Sequence, residues 1–331
     1  MAYTAIDNPE LYFQVKLYTG NGSTQTITYD NTDADLDADM IWLKARNHAY
    51  SHQLFDTVRG ATKLLNPEAG EAEQTLSGIT AFATDTFAIG SDAGTNASDK
   101  TYVAWCWKES ATSGFDMVSY SGNETNRTIS HSLSAVPHLM IIKNRESTFN
   151  WVVYHHKNTS APQTDYLYLA TDAATADFDG HFNDTAPTSS VFTVGTDTGV
   201  NKNSQGHMNY LWTEKQGFSK FGSYEGNGAD DGTFVWTGFR PAFLIIKRSS
   251  STEDWYLYDN KRDGYNVIDT ALAPSLNNAE FDTGAEIDFL SNGFKNRGTN
   301  TASNTDGETY LYIAFAEAPF VNSNGVPCNA R

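Results

Sequence analysis

Pro241-Ala-Phe-Leu-Ile-Ile-Lys247 is the run of sequence on which the fold depends. Similar runs occur twice upstream, as Pro137-His-Leu-Met-Ile-Ile-Lys143 and Asp39-Met-Ile-Trp-Leu-Lys44. A short β-branched and aromatic run behind Pro or Asp is typical of a buried strand, because a helix needs ten residues or more. The three runs therefore predict the same strand three times.

Other signals recur in step with this strand. A Tyr-x-Gly turn precedes each copy, and an aromatic strand that stops at an acid follows each copy. The turns begin at Tyr18, Tyr120 and Tyr224, and the closing acids are Glu109, Glu214 and Glu317. Landmarks that return in one order predict three tandem units of about 100 residues, the size at which a domain can bury its own core.

The predicted organisation has five parts. A lead-in covers residues 1–14, the units cover 15–109, 115–214 and 218–317, and a tail covers 318–331. Strands of four to eight residues alternate with loops of Gly, Asn, Asp, Ser and Thr. This pattern predicts an all-β fold of three tandem antiparallel β-sandwich repeats, jelly-roll-like in kind. The linkers are short, so we expect the units to pack against one another or to stack.

Composition excludes several classes of function. The 331 residues are 39% hydrophobic and 13% aromatic, which is ample for globular cores. A net charge of −18 with only 22 Lys and Arg argues against a nucleic-acid partner, because phosphate binding needs clustered basic residues. No stretch approaches the roughly 20 apolar residues of a membrane span, so we expect no membrane insertion. The first residues lack the basic and apolar regions of a secretory signal.

Patterns of catalytic and metal-binding residues are missing from the sequence. It contains no Gly-x-Ser-x-Gly, phosphate-binding Gly-x-x-x-x-Gly-Lys, His-Glu-x-x-His or Gly-x-Gly-x-x-Gly. Two cysteines, Cys106 and Cys328, are too few for a structural zinc site. His155 and His156 are adjacent on a predicted strand and would face opposite sides, so we interpret them as surface imidazoles. We expect no enzymatic activity and no cofactor.

One acidic loop invites a calcium interpretation. Acids alternate between Asp33 and Asp39, but an EF-hand loop counted from Asp33 would need Gly where Ala38 stands and Glu where Lys44 stands. A solvated turn is the preferred interpretation. Whether this loop binds a cation is left open.

The recurring acids are candidates for a glycosidase, which needs two carboxylates facing each other across a cleft. An acid in the same place in every unit is better explained as part of the repeat. The acids Glu109, Glu214 and Glu317 are matched by equally periodic lysines, Lys44, Lys143 and Lys247. Our hypothesis is a Lys–Glu contact at the strand ends, worth ~1 kcal/mol if partly exposed.

Two further sets of residues stand out. Asp56 with Arg59 and Asp259 with Arg262 predict exposed turn-closing ion pairs, and the second unit carries His155 and Asn158 instead. Trp236 and Tyr265 occur in the third unit alone and could stack on sugar rings, with packing in the core as the alternative.

Seven stretches of the chain are distinctive: Ile6-Asp-Asn-Pro-Glu-Leu-Tyr-Phe-Gln14, Tyr102-Val-Ala-Trp-Cys-Trp-Lys108 and residues 17–22, 52–63, 151–155, 183–195 and 218–228. They resemble a repeat family of tailed bacteriophages, especially marine ones. The likeness runs from about residue 3 to the end of the chain. One strand departs from it, where His207-Met-Asn replaces an aromatic and aliphatic start. Members of that family are described as tail-fibre-like or virion structural proteins, with no assigned catalytic residues.

The resemblance implies a virion protein assembled in the host cytoplasm, with other tail or capsid proteins as partners. The first hypothesis is a non-enzymatic tail-fibre or receptor-binding component that contacts a host surface glycan or outer-membrane protein. The second is a capsid decoration or tail accessory protein with a structural role. The third is a depolymerase of surface polysaccharide, which would need a carboxylate pair in a groove. The sequence leaves open the position in the particle, the host, the receptor and whether the chain forms a homo-oligomer.

Overall fold

The computed structural model describes residues 2–30 and 35–328. The predicted all-β class is confirmed, because 45% of the chain is strand and 5% is helix, and the strands form several antiparallel sheets. We call the parts of the chain that carry β1–β9, β10–β17 and β18–β25 segments 1, 2 and 3.

The described elements are as follows. Segment 1 contains a 3-10 turn (Pro9–Leu11), β1 (Phe13–Thr19), β2 (Gln25–Thr28), β3 (Met40–Ala45), β4 (Gln53–Asp56), β5 (Lys63–Leu64), β6 (Gln74–Thr75), β7 (Ile79–Ala83), β8 (Thr86–Ile89), α1 (Ala93–Asn96) and β9 (Thr101–Trp107). Segment 2 contains β10 (Phe115–Ser121), β11 (Arg127–Ser130), β12 (Leu139–Asn144), β13 (Val152–His155), β14 (Asp165–Tyr168), β15 (Ala176–Asp177), α2 (Asp179–Phe182), β16 (Val191–Val194), α3 (Thr198–Asn201) and β17 (Gly206–Trp212). Segment 3 contains β18 (Ser219–Glu225), β19 (Asp231–Trp236), β20 (Phe239–Arg248), β21 (Trp255–Asp259), β22 (Ile268–Ala271), β23 (Phe281–Leu290), β24 (Gly293–Arg297) and β25 (Thr309–Pro319).

Each segment contributes a principal sheet with the same strand order. The orders are β1-β9-β3-β4, β10-β17-β12-β13 and β18-β25-β20-β21, and β14 and β15 extend the second sheet. The first strand of each segment therefore lies beside the last one. The landmark strand, which is β3, β12 or β20, lies inside its sheet with antiparallel neighbours on both sides.

Further sheets lie against the principal ones. Their orders are β2-β8-β7, β11-β16 and β19-β24-β23-β22, and β5-β6 forms a small ribbon. In segment 3, Val235 of β19 and Phe294 of β24 share a hydrophobic cluster with Leu244 and Ile246 of β20. The two sheets of this segment therefore pack face to face.

The landmark strands have a continuous apolar run before their lysines because both of their faces are covered. Side chains alternate along a strand, so neighbours point to opposite faces of the sheet. In β20, Leu244 and Ile246 face the core of segment 3. Phe243 and Ile245 face a different cluster, which contains residues of all three segments. A strand with both faces buried has no polar face, which explains its continuous hydrophobic run.

The shared cluster occupies the middle of the molecule. The ring of Phe13 stacks on that of Phe315 with centroids 5.2 Å apart, and Trp107 meets Phe243 edge to face at 5.5 Å. These contacts join segment 1 to segment 3, and Tyr210 and Trp212 of segment 2 belong to the same cluster. The cavity left at the centre is about 30 Å³, roughly the volume of one water molecule.

The segments are also joined in a cycle by polar contacts. Each junction has a contact between a ring nitrogen and a backbone carbonyl of another segment. The ring belongs to a residue at the start of β4, β13 or β21, or just before it. The contacts are Trp151 Nε1 to Asn66 O at 2.9 Å, Trp255 Nε1 to Tyr168 O at 3.0 Å and His52 Nε2 to Ala273 O at 2.9 Å. Segment 1 thus contacts segment 2, segment 2 contacts segment 3, and segment 3 contacts segment 1.

The lead-in packs against segment 3. The hydroxyl of Tyr3 donates to the carbonyl of Gly238 at 2.8 Å, and Asp7 accepts from the backbone N–H of Ser323 at 2.7 Å. Asn8 caps the following turn, because its side chain accepts from the N–H of Glu10 at 3.1 Å. No helix in the described part of the chain has the length and apolar character of a membrane span.

Candidate functional site

The three recurring lysines do not contact the recurring glutamates, so the Lys–Glu hypothesis is wrong. Lys44 pairs in register with Val103, whereas Glu109 lies past the opposite end of the same strand, about 20 Å away at the rise of a β-strand. The lysines are fully buried, and their ammonium groups donate to backbone carbonyls instead. Lys143 Nζ, for example, donates to Asn144 O at 2.6 Å and to Gly70 O of segment 1 at 3.1 Å.

Burial sets the proton affinity of these lysines. It lowers the pKa of Lys143 to about 8, and burial lowers the pKa of Lys44 and Lys247 to about 8 as well. Lys143 and Lys247 each reach a carbonyl of the preceding segment, Gly70 O and Asp172 O, and so help to hold two of the junctions together. Lys44 donates to Ala45 O and His48 O of its own segment.

Two of the recurring glutamates, Glu109 and Glu214, hold the start of the next segment. Glu109 Oε1 accepts from the N–H of Met117 at 3.1 Å, and Glu214 Oε1 accepts from the N–H of Phe221 at 2.9 Å. Glu317 pairs with Arg240 at 2.7 Å. These carboxylates are engaged with the backbone or with an arginine, which differs from the facing pair that glycoside hydrolysis needs.

Glu109 and Glu214 differ in their charge state. Burial and a hydrogen bond with Asp116 raise the pKa of Glu109 to about 7. Burial also acts on Glu214, but the hydrogen bonds from His156 and Phe221 outweigh it and hold the pKa of Glu214 below its ordinary value.

The predicted Asp–Arg ion pairs form, but the prediction that they are exposed is wrong. Arg59 Nε lies 2.5 Å from Asp56 Oδ2, and Arg262 Nε lies 2.7 Å from Asp259 Oδ2, with all four side chains fully buried. The same Asp56 oxygen accepts from the hydroxyl of Tyr210 in segment 2 at 2.6 Å. The pairs are covered because they lie between segments, which a local sequence pattern does not reveal.

The adjacent histidines differ in burial. The interpretation of both as surface imidazoles is wrong for His155, which is buried and whose Nε2 lies 3.2 Å from the carbonyl of Tyr312 in segment 3. Burial lowers the pKa of His155 to about 3, so it is neutral. His156 is partly exposed, with Nε2 3.5 Å from Glu214.

The acidic loop falls partly outside the described residues, since Asp33 is not among them. Asp39 accepts from the backbone N–H of Glu109 at 2.8 Å and from the hydroxyl of Thr57 at 3.2 Å. Within residues 2–30 and 35–328, no three or more His, Cys, Asp and Glu side chains lie together as metal ligands would.

Trp236 is the one tryptophan that reaches the surface. The other six are at least 95% buried, whereas Trp236 is 44% exposed. It is the last residue of β19, where Val235 points into the core of segment 3 and Trp236 points away from it. The alternative of core packing is therefore excluded for this residue.

Trp236 lies at an open pocket of about 390 Å³. The lining comes from the lead-in, from the loop before β12, from the junction between segments 2 and 3, and from β18 and β19. Its principal side chains are Tyr3, His138, Glu214, Gln216, Lys220 and Trp236. We call this the Trp236 pocket.

The polar groups of the Trp236 pocket are held in fixed orientations. His138 Nδ1 accepts from the backbone N–H of Glu214 at 2.9 Å, so the ring carries its proton on Nε2. Burial and the neighbouring His156 lower the pKa of His138, which keeps the ring neutral at pH 7. Lys220 Nζ donates to the carbonyl of Trp236 at 2.8 Å. The pocket therefore combines a carboxylate, a neutral imidazole, an ammonium group and an indole.

Tyr265 lies at a second open pocket, of about 400 Å³, with Arg240 and Asn292. It is 84% exposed. The two pockets are neighbours, because the N–H groups of Thr237 and Gly238 donate to Asn292 O at 3.0 and 3.1 Å. The two aromatic residues singled out from the sequence thus lie on either side of one turn.

The corresponding positions of the other segments lack such an aromatic residue. Strands β2 and β11 pair with β8 and β16 as β19 pairs with β24, and they end at Thr28 and Ser130. Sequence reasoning missed His138 and Glu214 as partners of Trp236. These residues are distant in the chain, and no local spacing connects them.

The chain was compared with protein families, with curated proteins and with solved structures. A family model described as Domain of unknown function (DUF7483) matches residues 8–319. No curated protein matches the sequence. A solved structure described as "Crystal Structure of the STIV MCP" is 7% identical, with 92% of this chain and 95% of that chain covered and a TM-score of 0.18.

Proposed function

The chain belongs to the DUF7483 family, and we propose that it is a non-enzymatic bacteriophage virion protein that contacts the host surface, as a tail-fibre or receptor-binding component. The observation that carries the proposal is Trp236, the one exposed tryptophan, at a pocket rich in polar groups. Aromatic residues with an apolar body and a polar edge are enriched where proteins recognise ligands and partners. The resemblance to tail-fibre-like proteins supplies the setting.

We also infer that the three segments are tandem β-sandwich repeats of the jelly-roll-like kind. Three features support this inference: the common strand order of the principal sheets, the second sheet packed on β20 in segment 3, and the position of the first strand beside the last in each segment. The repeated body is a scaffold, and the pocket is a feature of segment 3 and its neighbours.

The contacts of the recurring glutamates support a binding role over a depolymerase. Glu109 and Glu214 each accept a backbone N–H of the following segment. A general acid or nucleophile needs a carboxylate that is free to meet the substrate. These contacts hold Glu109 and Glu214 in place within the scaffold, and Glu214 also lines the Trp236 pocket.

A second candidate is the capsid decoration or tail accessory protein. It is favoured by the contact between Asp7 and Ser323, which brings the lead-in and the residues after β25 to one place on the surface. Such a composite patch is suited to docking on another virion protein.

Competition for adsorption tests the first candidate. Purified protein should bind host cells and block infection, and Trp236→Ala should abolish both effects. Phe234→Ala is the matched control, since Phe234 is equally exposed on the same strand but is not part of the lining of the Trp236 pocket. Equal loss for both variants, or no binding by the unaltered protein, would contradict the receptor-binding role.

A reconstruction of the intact virion by electron microscopy separates the two candidates. A chain that projects from the tail with segment 3 outermost supports contact with the host. A chain that lies flat on the capsid, with Asp7 and Ser323 against a neighbour, supports the accessory role.

A further inference from the structure

We propose that the Trp236 pocket binds a neutral pyranose unit of a surface polysaccharide. This inference rests on the proposed function and names the class of ligand that the site would take.

The first step is the aromatic platform. Lys220 Nζ donates to the backbone carbonyl of Trp236, and the ring of Phe320 meets the indole edge to face at 5.5 Å. Gly238 lies beneath it, since a side-chain carbon there would be 3.5 Å from the indole nitrogen. A pyranose ring has an apolar face of C–H groups that packs flat on such a surface. A platform that is fixed in advance loses little conformational entropy on binding.

The second step is the arrangement of hydrogen-bonding groups. Each sugar hydroxyl both donates and accepts, so a sugar site needs both kinds of group at its wall. Glu214, His138 and Gln216 line the pocket. A carboxylate accepts, an imidazole whose Nδ1 is engaged can donate through Nε2, and an amide does both. A purely apolar ligand would displace water from these polar groups and offer no hydrogen bond in return, which costs free energy.

The third step is charge, which favours a neutral sugar. Glu214 and Lys220 bring opposite charges to the same pocket. The chain as a whole carries a charge of −18. An acidic sugar would approach against that field, whereas a neutral sugar is not affected by it. The pocket volume of about 390 Å³ lies within the range of small-molecule sites, about 300–1,000 Å³.

The test uses fluorine NMR of the full chain labelled with 5-fluorotryptophan. The seven tryptophans give seven signals, and Trp236→Phe identifies the signal of Trp236. Methyl glycosides of glucose, galactose, mannose and N-acetylglucosamine are titrated separately, with methyl glucuronide as the acidic probe. We expect at least one neutral glycoside to shift the Trp236 signal alone, because the other six rings are buried. Gln216→Ala should weaken that glycoside about 2- to 10-fold.

The outcomes separate this inference from the proposed function. If cells bind in a Trp236-dependent way but no neutral glycoside shifts the signal, the ligand class is wrong and the receptor role stands. A response to the glucuronide alone, or equal shifts of all seven signals, also overturns the neutral-sugar site. If a neutral glycoside shifts the Trp236 signal but the protein does not bind cells, the sugar site stands and the receptor role falls.

Discussion

Where two corresponding buried residues contact each other, both of them differ between segments. Arg59 approaches Glu73 at 3.3 Å in segment 1. In segment 2 the corresponding contact joins Asn158 to the hydroxyl of Thr175, which donates to the amide oxygen at 2.6 Å. A buried charge without its partner is strongly destabilising, so both members of an ion pair must be exchanged together. A neutral hydrogen bond has thus taken the place of an ionic one.

Removing one member of the buried pair should be far more damaging than removing the neutral equivalent. Arg59→Met leaves Asp56 buried, with the hydroxyl of Tyr210 as its remaining side-chain donor among residues 2–30 and 35–328. We expect the free energy of unfolding to fall by about 3–5 kcal/mol. Asn158→Ala in segment 2 should cost about 1 kcal/mol. Denaturant titration measures the unfolding free energy of both variants. Equal losses would show that the buried charge of Asp56 does not cause the larger cost expected for Arg59→Met.

The pKa values of Glu109 and Glu214 predict opposite effects of pH on stability. The folded-state pKa of Glu109, about 7, lies above the ordinary value of 4.5. Its contribution is complete below pH 4.5 and is lost as the pH rises through 7. For Glu214 the folded-state pKa lies below the ordinary value, so its contribution is present above pH 4.5 and is lost in acid.

Glu109→Gln should therefore raise the melting temperature at pH 8 and leave it unchanged at pH 4.5, whereas Glu214→Gln should lower it at pH 8. Both groups are partly screened by solvent, so each effect is of order 1 kcal/mol. Thermal unfolding at both pH values measures the four differences. The same sign for both variants at pH 8 would contradict this account.

At the scale of elements, the cyclic junctions are not of equal strength. Arg145 forms a two-pronged ion pair with Glu73 at 2.8 and 3.0 Å, and Arg46 does the same with Glu280 at 2.9 and 3.0 Å. Between segments 2 and 3, the contact in the described residues that corresponds to them is a backbone one, from Thr175 N to Ser249 O at 3.0 Å. The ionic contacts thus reinforce two of the three junctions.

A double-mutant cycle should measure this difference. For Glu73→Ala with Arg145→Ala, we expect a coupling energy of about 1 kcal/mol, because the pair is two-pronged and mostly buried. The same cycle on Thr175 and Ser249 should give a value near zero, since their contact is made by the backbone. A sizeable coupling in the second cycle would mean that their side chains also support the junction.

The strands could be predicted from the sequence, but their arrangement could not. The run that ends at Lys247 is apolar on both faces, and that is enough to identify a buried strand. The sequence does not say whether the second face is covered by a stacked neighbour or by a closed ring of three segments. For the same reason, the i, i+3 spacing of Asp56 and Arg59 predicts their pairing but not their burial. The pocket combines His138 with Trp236, about 100 residues apart, which no periodicity connects.

For the whole molecule, the shared core makes the segments depend on one another. Trp105 and Trp107 face the central cluster and not the interior of segment 1. A single segment would expose these side chains to water, at a cost of about 25 cal/mol for each Å² of apolar surface. Each segment buries one face of its principal sheet in a core of its own, as expected from the sequence. The other face is buried in the cluster that the three segments share.

The full chain should therefore unfold in one cooperative transition. We expect the calorimetric and van't Hoff enthalpies to agree, and a fragment of residues 1–112 to show no cooperative melting and to bind a hydrophobic dye. Three separate calorimetric transitions, or a fragment that melts sharply, would show that the segments are stable alone.

Trp236 stands where the other two segments have Thr28 and Ser130. This difference sets the number of Trp236 pockets in the chain to one. In a trimer of identical chains, one substitution appears at three sites at once. Within one chain a single site can change, and a molecule with one Trp236 pocket is monovalent for its ligand. Under the proposed receptor-binding role, attachment to a cell surface depends on how many copies a particle displays, because linked weak sites bind far more strongly together than singly. In that role each contact can stay weak and quickly reversible while the particle as a whole remains attached.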